Sequence, residues 1–269
     1  MLLSAFLFSI VSCGETNPDG NSGSDTTKKI DTAKTVENVK ANVLFSLPAP
    51  VDIASILMDH PGSEFNAKIL NPTANSSKYN TNKSLALNLG IFTADLSYTS
   101  FSKQNQLTKQ YMNVSKEIAE KLGIANIIDQ AGLELINAEK LDKDAMQKLI
   151  SETFMNTESY LKENGRSELM SIILIGGWVE AQYLATKLSK SNLKTNPELA
   201  KRIIEQSTTL ELMLLLVEES AANAEVTSLK PDLQKIKEAM DKLSTQEPTE
   251  ENYKNFCNVI EQIRTSYIS

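Results

Sequence analysis

Two stretches of the chain decide its fold: residues 84–103 read SLALNLGIFTADLSYTSFSK, and residues 171–190 read SIILIGGWVEAQYLATKLSK. In both, apolar side chains recur at intervals of three and four residues, which is the period of an α-helix rather than of a strand. No proline occurs between residue 73 and residue 196, so nothing of that kind breaks a helix in this range. These features predict an all-α fold built on long helices.

The two stretches also resemble each other. When the second is aligned with the first by a shift of 87 residues, seven of the twenty positions are identical. The shared positions include Gly90 and Gly177, each followed four residues later by an alanine, Ala94 or Ala181. Small side chains on one helix face let another helix approach closely, which offsets the cost of about 1 kcal/mol for a glycine inside a helix. We expect the two helices to have matching roles in a pseudo-duplicated bundle; the alternative is chance similarity between two apolar helices.

The helical period extends along the rest of the chain. Predicted helices cover residues 50–59, 79–101, 103–122, 125–137, 142–164, 166–190, 196–222, 226–244 and 249–267. Chemical signals mark several boundaries: Gly165 after one helix, Pro197 at the first turn of another, Lys230-Pro231 at the opening of a third and Thr249 as an N-cap. Because the connections are short, neighbouring helices are expected to be antiparallel. The predicted fold is an antiparallel helical bundle or a short α–α superhelix of about eight or nine helices.

Composition excludes several classes of protein. Glycine and proline together make up about 7% of the 269 residues, against a usual share of roughly 12%, which argues against a turn-rich β fold. A His/Cys zinc site, a di-iron site and a Ser-His-Asp triad need ligands or bases that this chain, with a single histidine and two cysteines, mostly lacks. The net charge of −7 disfavours binding to nucleic acid, which needs a basic surface. We therefore predict no cofactor, no metal site and no nucleic-acid partner.

The start of the chain carries a targeting signal. Residues 1–12 read MLLSAFLFSIVS and contain no charged side chain; the run is shorter than the roughly 20 apolar residues that span a bilayer. It ends in Ile10-Val11-Ser12-Cys13, which resembles the lipobox of bacterial lipoprotein signals, although the positive charge typical of such signals is missing from residues 1–9. The resemblance implies cleavage before Cys13 and lipidation of Cys13, which would hold the protein on a membrane.

The sequence after the lipobox divides into a tether and a body. Residues 13–35 are rich in Gly, Ser, Thr, Asn and Asp, a composition typical of a flexible tether. Residues 36–269 are predicted to form a single all-helical domain. With its lipobox, tether and long helices around GIFTADLSY, the chain resembles secreted all-helical lipoproteins of Bacteroidetes. That resemblance implies a location in the cell envelope, on the outer membrane and facing the periplasm or the cell surface, but no activity.

Three carboxylates lie inside strongly apolar helical stretches: Asp95, Glu180 and Glu211. Ionised carboxylates are seldom buried without a partner, so each one faces water, pairs with a cation or lines a site. Two of them on facing helices could act as an acid and a base, or hold a hard cation. The alternative is that they form the polar stripe that helices with a wide apolar face still need.

Three aromatic residues complete the candidate ligand pocket: Tyr98, Trp178 and Tyr183. Trp178 is the only tryptophan and follows two glycines, so its ring could stack on a sugar or a lipid tail across the gap that they leave. The alternative is that it fills the core against the helix that the glycines admit.

Two functional hypotheses follow. The first is a non-enzymatic scaffold or binding module, anchored to the membrane through its lipid, for an envelope protein or a small ligand; it predicts an exposed apolar patch or a concave face between the two repeat units. The second is a hydrolase or a metal-dependent protein that uses the helix carboxylates. It requires at least two of those carboxylates to meet in one pocket that water can reach.

Overall fold

The computed structural model describes residues 65–124, 143–194, 197–244 and 248–269, and within these ranges the chain is helical with no strand. The helices are α1 Asn82–Phe101, α2 Asn105–Lys121, α3 Lys143–Glu163, α4 Ser167–Leu188, α5 Pro197–Glu205, α6 Ser207–Glu219, α7 Ala224–Thr227, α8 Lys230–Ser244 and α9 Glu250–Tyr267. Two short 3₁₀ turns, Ala67–Ile69 and Thr73–Lys78, precede α1. The predicted all-α helical bundle is confirmed.

Several predicted segments lie outside the described residues. These are the signal peptide, Cys13 and the tether, the first 29 residues of the predicted domain at 36–64, and the predicted helices at 50–59 and 125–137.

Two predicted helices are each divided into two shorter ones. The predicted helix at 196–222 is interrupted at Gln206, whose N–H bonds to the Ile203 carbonyl 3.1 Å away, three residues back; the Ser-Thr-Thr run that follows has low helix propensity. The predicted helix at 226–244 is likewise α7 followed by α8. Pro231 has no N–H to continue the ladder from α7, but it fits the first turn of α8.

Helices α1 and α4 form the centre of the bundle. Every residue of α4 from 169 to 186 is buried, and α1 is buried over nearly its whole length. This agrees with helices that are apolar all round, because such helices can be covered on every side. Helix α4 is the one helix in the described part of the chain that is long and apolar enough to span a membrane, and its apolar window is entirely buried inside the fold. A core helix meets that test as readily as a membrane span.

The two central helices touch through their glycines. A Cβ atom added at Gly90 would overlap the Ile173 carbonyl oxygen and lie 2.6 Å from the Gly177 nitrogen. A Cβ atom added at Gly176 would overlap the Leu87 carbonyl oxygen. The small residues therefore admit a neighbouring backbone, as the sequence predicts, and that neighbour is the other copy of the repeated stretch.

The repeated stretches also end alike. Ser102 and Ser189, which are 87 residues apart, are the C-caps of α1 and α4. The residues that follow, Lys103 and Lys190, have φ angles of 56° and 53°, a left-handed conformation that is uncommon for residues other than glycine. The similarity between the two helices thus extends from sequence to backbone conformation.

The other helices cover this central pair. Helices α2, α3 and α9 pack on α1, while α3, α5, α6 and α9 pack on α4. Helix α8 lies farther out, against α6 and α9. Helix α9 reaches both central helices, so the end of the chain closes the core.

Candidate functional site

The structure brings two of the three predicted carboxylates together. Asp95 on α1 and Glu180 on α4 are both 0% exposed, and their carboxyl groups lie within hydrogen-bonding reach of each other. Glu211 does not join them. Its side chain is 63% exposed and pairs with Lys237 at 3.4 Å on the surface, because it lies on the outer side of α6 while Leu210 and Met213 face the core.

The partner of Glu180 is an arginine near the end of the chain. Arg264 on α9 is 6% exposed and donates from Nε to Glu180 Oε2 at 2.9 Å and from Nη2 to Glu180 Oε1 at 3.0 Å. Two parallel charge-assisted hydrogen bonds of this kind are strong and fix the geometry. The guanidinium also stacks over the ring of Tyr183, 4.4 Å from its centre, which adds a cation–π contact.

Asn71 connects this ion pair to the chain before α1. Its backbone N–H donates to Asp95 Oδ2 at 3.0 Å, and its carbonyl accepts from the Tyr111 hydroxyl at 2.9 Å. Its side-chain amide donates to the Tyr79 hydroxyl at 3.2 Å and to Asn88 Oδ1 at 3.3 Å. Asn71 is fully buried, and these bonds satisfy polar groups that would otherwise oppose burial.

The same set of side chains holds both ends of the described chain. Arg264 Nη2 donates to the Ile69 carbonyl at 3.4 Å. Asn88 donates to the Tyr267 carbonyl at 2.9 Å, and the Tyr79 hydroxyl donates to the Ile268 carbonyl at 3.3 Å. We call this set the buried polar network; its members are Asn71, Tyr79, Asn88, Asp95, Tyr111, Glu180 and Arg264. It links the leading segment, residues 65–79, to α1, α2, α4 and the end of α9.

Burial and charge shift the titration of the network. Burial raises the pKa of Asp95 well above its ordinary value, and the negative charge of Glu180 adds to the rise while Arg264 opposes it. Burial also raises the pKa of Glu180, against the charge and hydrogen bonds of Arg264. The pKa of Tyr111 is raised by burial and by both carboxylates. Because burial and neighbouring charges cause these shifts, the proton affinity of these groups differs between the folded and the unfolded chain.

The predicted aromatic residues pack in the core. Trp178 is buried, and its indole nitrogen has no hydrogen-bond partner among the described residues. Tyr98 is buried beside Phe65, with ring centres 5.3 Å apart, and its hydroxyl accepts from the Asn66 N–H at 3.0 Å. Tyr183 lies under Arg264. For Trp178, this position agrees with the core-packing alternative.

Sequence reasoning missed five members of the network: Asn71, Tyr79, Asn88, Tyr111 and Arg264. For Arg264 and Asn88, the sequence nevertheless contains an indication. Arg264 lies on the apolar face of α9 together with Ile260 and Tyr267, at helical spacings of three and four. A cation in that position needs a buried partner. Asn88 similarly interrupts an apolar run in α1.

The buried network has no surface on which to meet a substrate, since both of its carboxylates are fully covered. In the described part of the chain, no three His, Cys, Asp or Glu side chains are grouped so that they could hold a metal ion.

An open groove lies elsewhere, between α8 and α9. It has a volume of about 410 Å³, and Ala239, Val259 and Ile263 contribute apolar surface to it. Its charged and amide side chains are Asp232, Lys235, Glu238, Lys242, Asn255 and Gln262. The groove is lined by both signs of charge and by groups that donate and accept hydrogen bonds. It does not lie between the two repeated helices. A concave face between the repeat units was one of the two signatures expected of a binding module, the other being an exposed apolar patch.

Comparison with family models, with characterised proteins and with solved structures gives no match to this chain. Its function must therefore be inferred from its own residues.

Proposed function

We propose that the protein is a lipid-anchored helical binding module of the bacterial cell envelope and that it does not act as an enzyme. The lipobox ending at Cys13 and the polar tether at 13–35 support the anchor. The single observation that carries the rest of the proposal is the burial of Asp95 and Glu180. The carboxylates best suited to catalysis are used inside the protein, where they bind Arg264 and Asn71.

The groove between α8 and α9 is the binding surface in this proposal. Its volume falls in the range of ligand sites, but such sites are mostly apolar, whereas this groove is rich in charged and amide groups. That chemistry favours a polar segment of an envelope protein over an apolar small ligand. The lysines Lys235 and Lys242 would pair with acidic side chains of the partner, and the amides would bind its backbone.

The enzyme alternative requires two carboxylates that meet and a pocket that water can reach; only the first requirement is met. Asp95 and Glu180 come together, as a hydrolase or a metal-dependent protein would need, but neither exposes surface to water.

The anchor is tested by replacing its cysteine. In the Cys13→Ser variant, we expect the protein to leave the membrane fraction and to lose incorporation of a labelled fatty acid. Cys257→Ser is the matched control, because Cys257 is the buried free thiol of α9; that variant should stay on the membrane. Unchanged membrane association of Cys13→Ser would refute the anchor.

The groove is tested separately by photo-crosslinking in intact cells. A crosslinking amino acid at Lys235 or Gln262, both exposed in the groove, should capture one recurrent protein, and Lys242→Glu should abolish that capture. The control position is Lys148 on α3, which is also exposed but lies outside the groove. Equal capture from Lys148, or capture that survives Lys242→Glu, would refute the groove as the binding surface.

A further inference from the structure

The charges of the buried polar network do not balance when both carboxylates are ionised. Asp95 and Glu180 carry two negative charges and Arg264 carries one positive charge, and all three groups are buried. A net charge in the interior strongly opposes folding, because it loses its hydration without gaining a partner. One proton on the carboxyl pair makes the network neutral.

The hydrogen bonds indicate which carboxyl group holds that proton. Glu180 receives two hydrogen bonds from Arg264, one on each oxygen. Asp95 receives one, from the Asn71 N–H on Oδ2, while its Oδ1 has no donor among the described residues. A protonated Asp95 can instead donate to Glu180, which lies within reach. The same proton then supplies a hydrogen bond between the two carboxyl groups and makes the network neutral.

We propose that Asp95 is a proton-binding site that switches the network between a neutral state and a negative state, and that it holds the leading segment firmly only in the neutral state. This proposal does not depend on the lipid anchor or on the groove.

The groups around Asp95 leave it free to act as the switch. The titratable or charged groups that face it are Glu180 and Tyr183 on α4, Arg264 on α9, Tyr111 on α2 and Tyr79 in the leading segment. Burial raises the pKa of all three tyrosines, and Glu180 raises that of Arg264, so these four groups keep their charge state as Asp95 titrates. Burial likewise raises the pKa of Asp95, in the direction that retains its proton.

The leading segment is the part of the network that can open. It contains two short 3₁₀ turns, and only four of its fifteen residues are buried: Ile69, Leu70, Asn71 and Tyr79. Asn71 is its direct link to Asp95. Helices α1 and α4, in contrast, are covered on all sides. Local opening begins where a region has few buried contacts, so a negative network should release residues 65–79 before it separates the central helices.

The sign of the pH dependence follows from proton linkage. The pKa of Asp95 is raised in the folded chain, so the folded chain holds a proton that the unfolded chain releases. The stabilisation is complete below the ordinary aspartate pKa and is lost as pH rises towards the raised value. Within that window the unfolding equilibrium constant should rise about tenfold per pH unit for one proton.

Denaturant unfolding of the full chain as a function of pH tests this proposal. The Asp95→Asn variant keeps a neutral, hydrogen-bonding side chain, so its unfolding constant should lack the tenfold rise per pH unit that the wild type shows. Asp241→Asn, which removes a surface carboxylate paired with Lys237 at 2.8 Å, should keep the wild-type rise. Parallel pH profiles for the wild type and Asp95→Asn would overturn the proposal.

Two measurements on the wild type keep the test decisive if Asp95→Asn does not fold. Calorimetric unfolding in buffers of different ionisation enthalpy, at a pH where the wild-type unfolding constant rises with pH, should show release of about one proton per molecule; release of none would overturn the proposal. Hydrogen exchange should show the Asn71 amide losing protection with rising pH, beyond the intrinsic rate increase, while α4 amides keep theirs. Equal behaviour of both regions would remove the leading segment from the switch.

Discussion

The crossing of α1 with α4 and the hairpin of α8 with α9 use polar side chains in opposite ways. At the crossing, Asp95 and Glu180 are fully covered; Arg264 binds Glu180, and the Asn71 N–H donates to one oxygen of Asp95. On the surface of α8, Lys237 bridges Asp241 of the same helix at 2.8 Å and Glu211 of α6 at 3.4 Å while all three remain partly exposed. A polar group inside the protein must have its partner, whereas a polar group at the surface also has water. The interior charges therefore depend on one another, whereas the surface charges do not.

The largest expected effect comes from breaking the interior ion pair. Arg264→Met leaves Glu180 buried without its partner, which should lower the free energy of unfolding by about 3–5 kcal/mol. Denaturant titration measures this loss. The double variant Glu180→Met with Arg264→Met should recover much of it, because an apolar pair needs no counter-charge. A double variant as unstable as Arg264→Met would show that packing, rather than charge, dominates at this position.

The second-largest loss of stability is expected where the backbones of α1 and α4 touch. Gly90→Ala puts a methyl group where the Ile173 carbonyl lies, and overpacking of this kind should cost about 3 kcal/mol. Thermal and denaturant unfolding would detect the loss. Gly165→Asn is the control, since nothing lies within 4 Å of that position and its φ of +65° suits asparagine. Equal stability of the two variants would mean that the helices can move apart at no cost.

A smaller effect is expected at the edge of the network. Tyr111→Phe removes the hydroxyl that donates to the Asn71 carbonyl at 2.9 Å, and an unsatisfied buried carbonyl should cost about 1–2 kcal/mol. Tyr160→Phe on α3, where the side chain is exposed, is the matched control and should be nearly neutral. If Tyr111→Phe leaves the free energy of unfolding unchanged, the hydrogen bond between Tyr111 and Asn71 does not contribute to stability.

The smallest effect is expected on the hairpin. Lys237→Met removes the two salt bridges that Lys237 makes and should change the free energy of unfolding by less than about 0.5 kcal/mol, because water screens exposed pairs. Added salt should reduce even that difference, whereas it should leave the Arg264→Met effect almost unchanged. A loss of several kcal/mol in Lys237→Met would contradict the claim that interior and surface charges contribute differently to stability.

The fold was predictable where periodicity is strong. Helices α1 to α4 and α9 lie within a few residues of their predicted ranges, because their apolar spacing and their boundary residues agree. The interruption at Gln206 was missed, since the apolar period continues across it. Lys230-Pro231 was recognised as a helix start, but the predicted range 226–244 runs across it. Backbone hydrogen bonding and proline chemistry decide the break there, and the apolar pattern does not record either.

The candidate site was only half predictable. The apolar surroundings of Asp95 and Glu180 indicated that each needs a partner, but the same argument also selected Glu211, which lies on the outer side of α6. Arg264 lies 84 residues from Glu180 along the chain, so no local pattern connects them.

The sequence by itself determined the all-α class, the close helix contact at the small residues and the need to satisfy the carboxylates of the central helices. These properties depend on periodicity and on side-chain size and charge, all of which are local. Only the tertiary structure decided that the two repeated helices contact each other, that Arg264 pairs with Glu180, and that Asn71 links Asp95 to the leading segment. Those contacts join residues that are distant along the chain, and packing of the whole bundle is what brings them together.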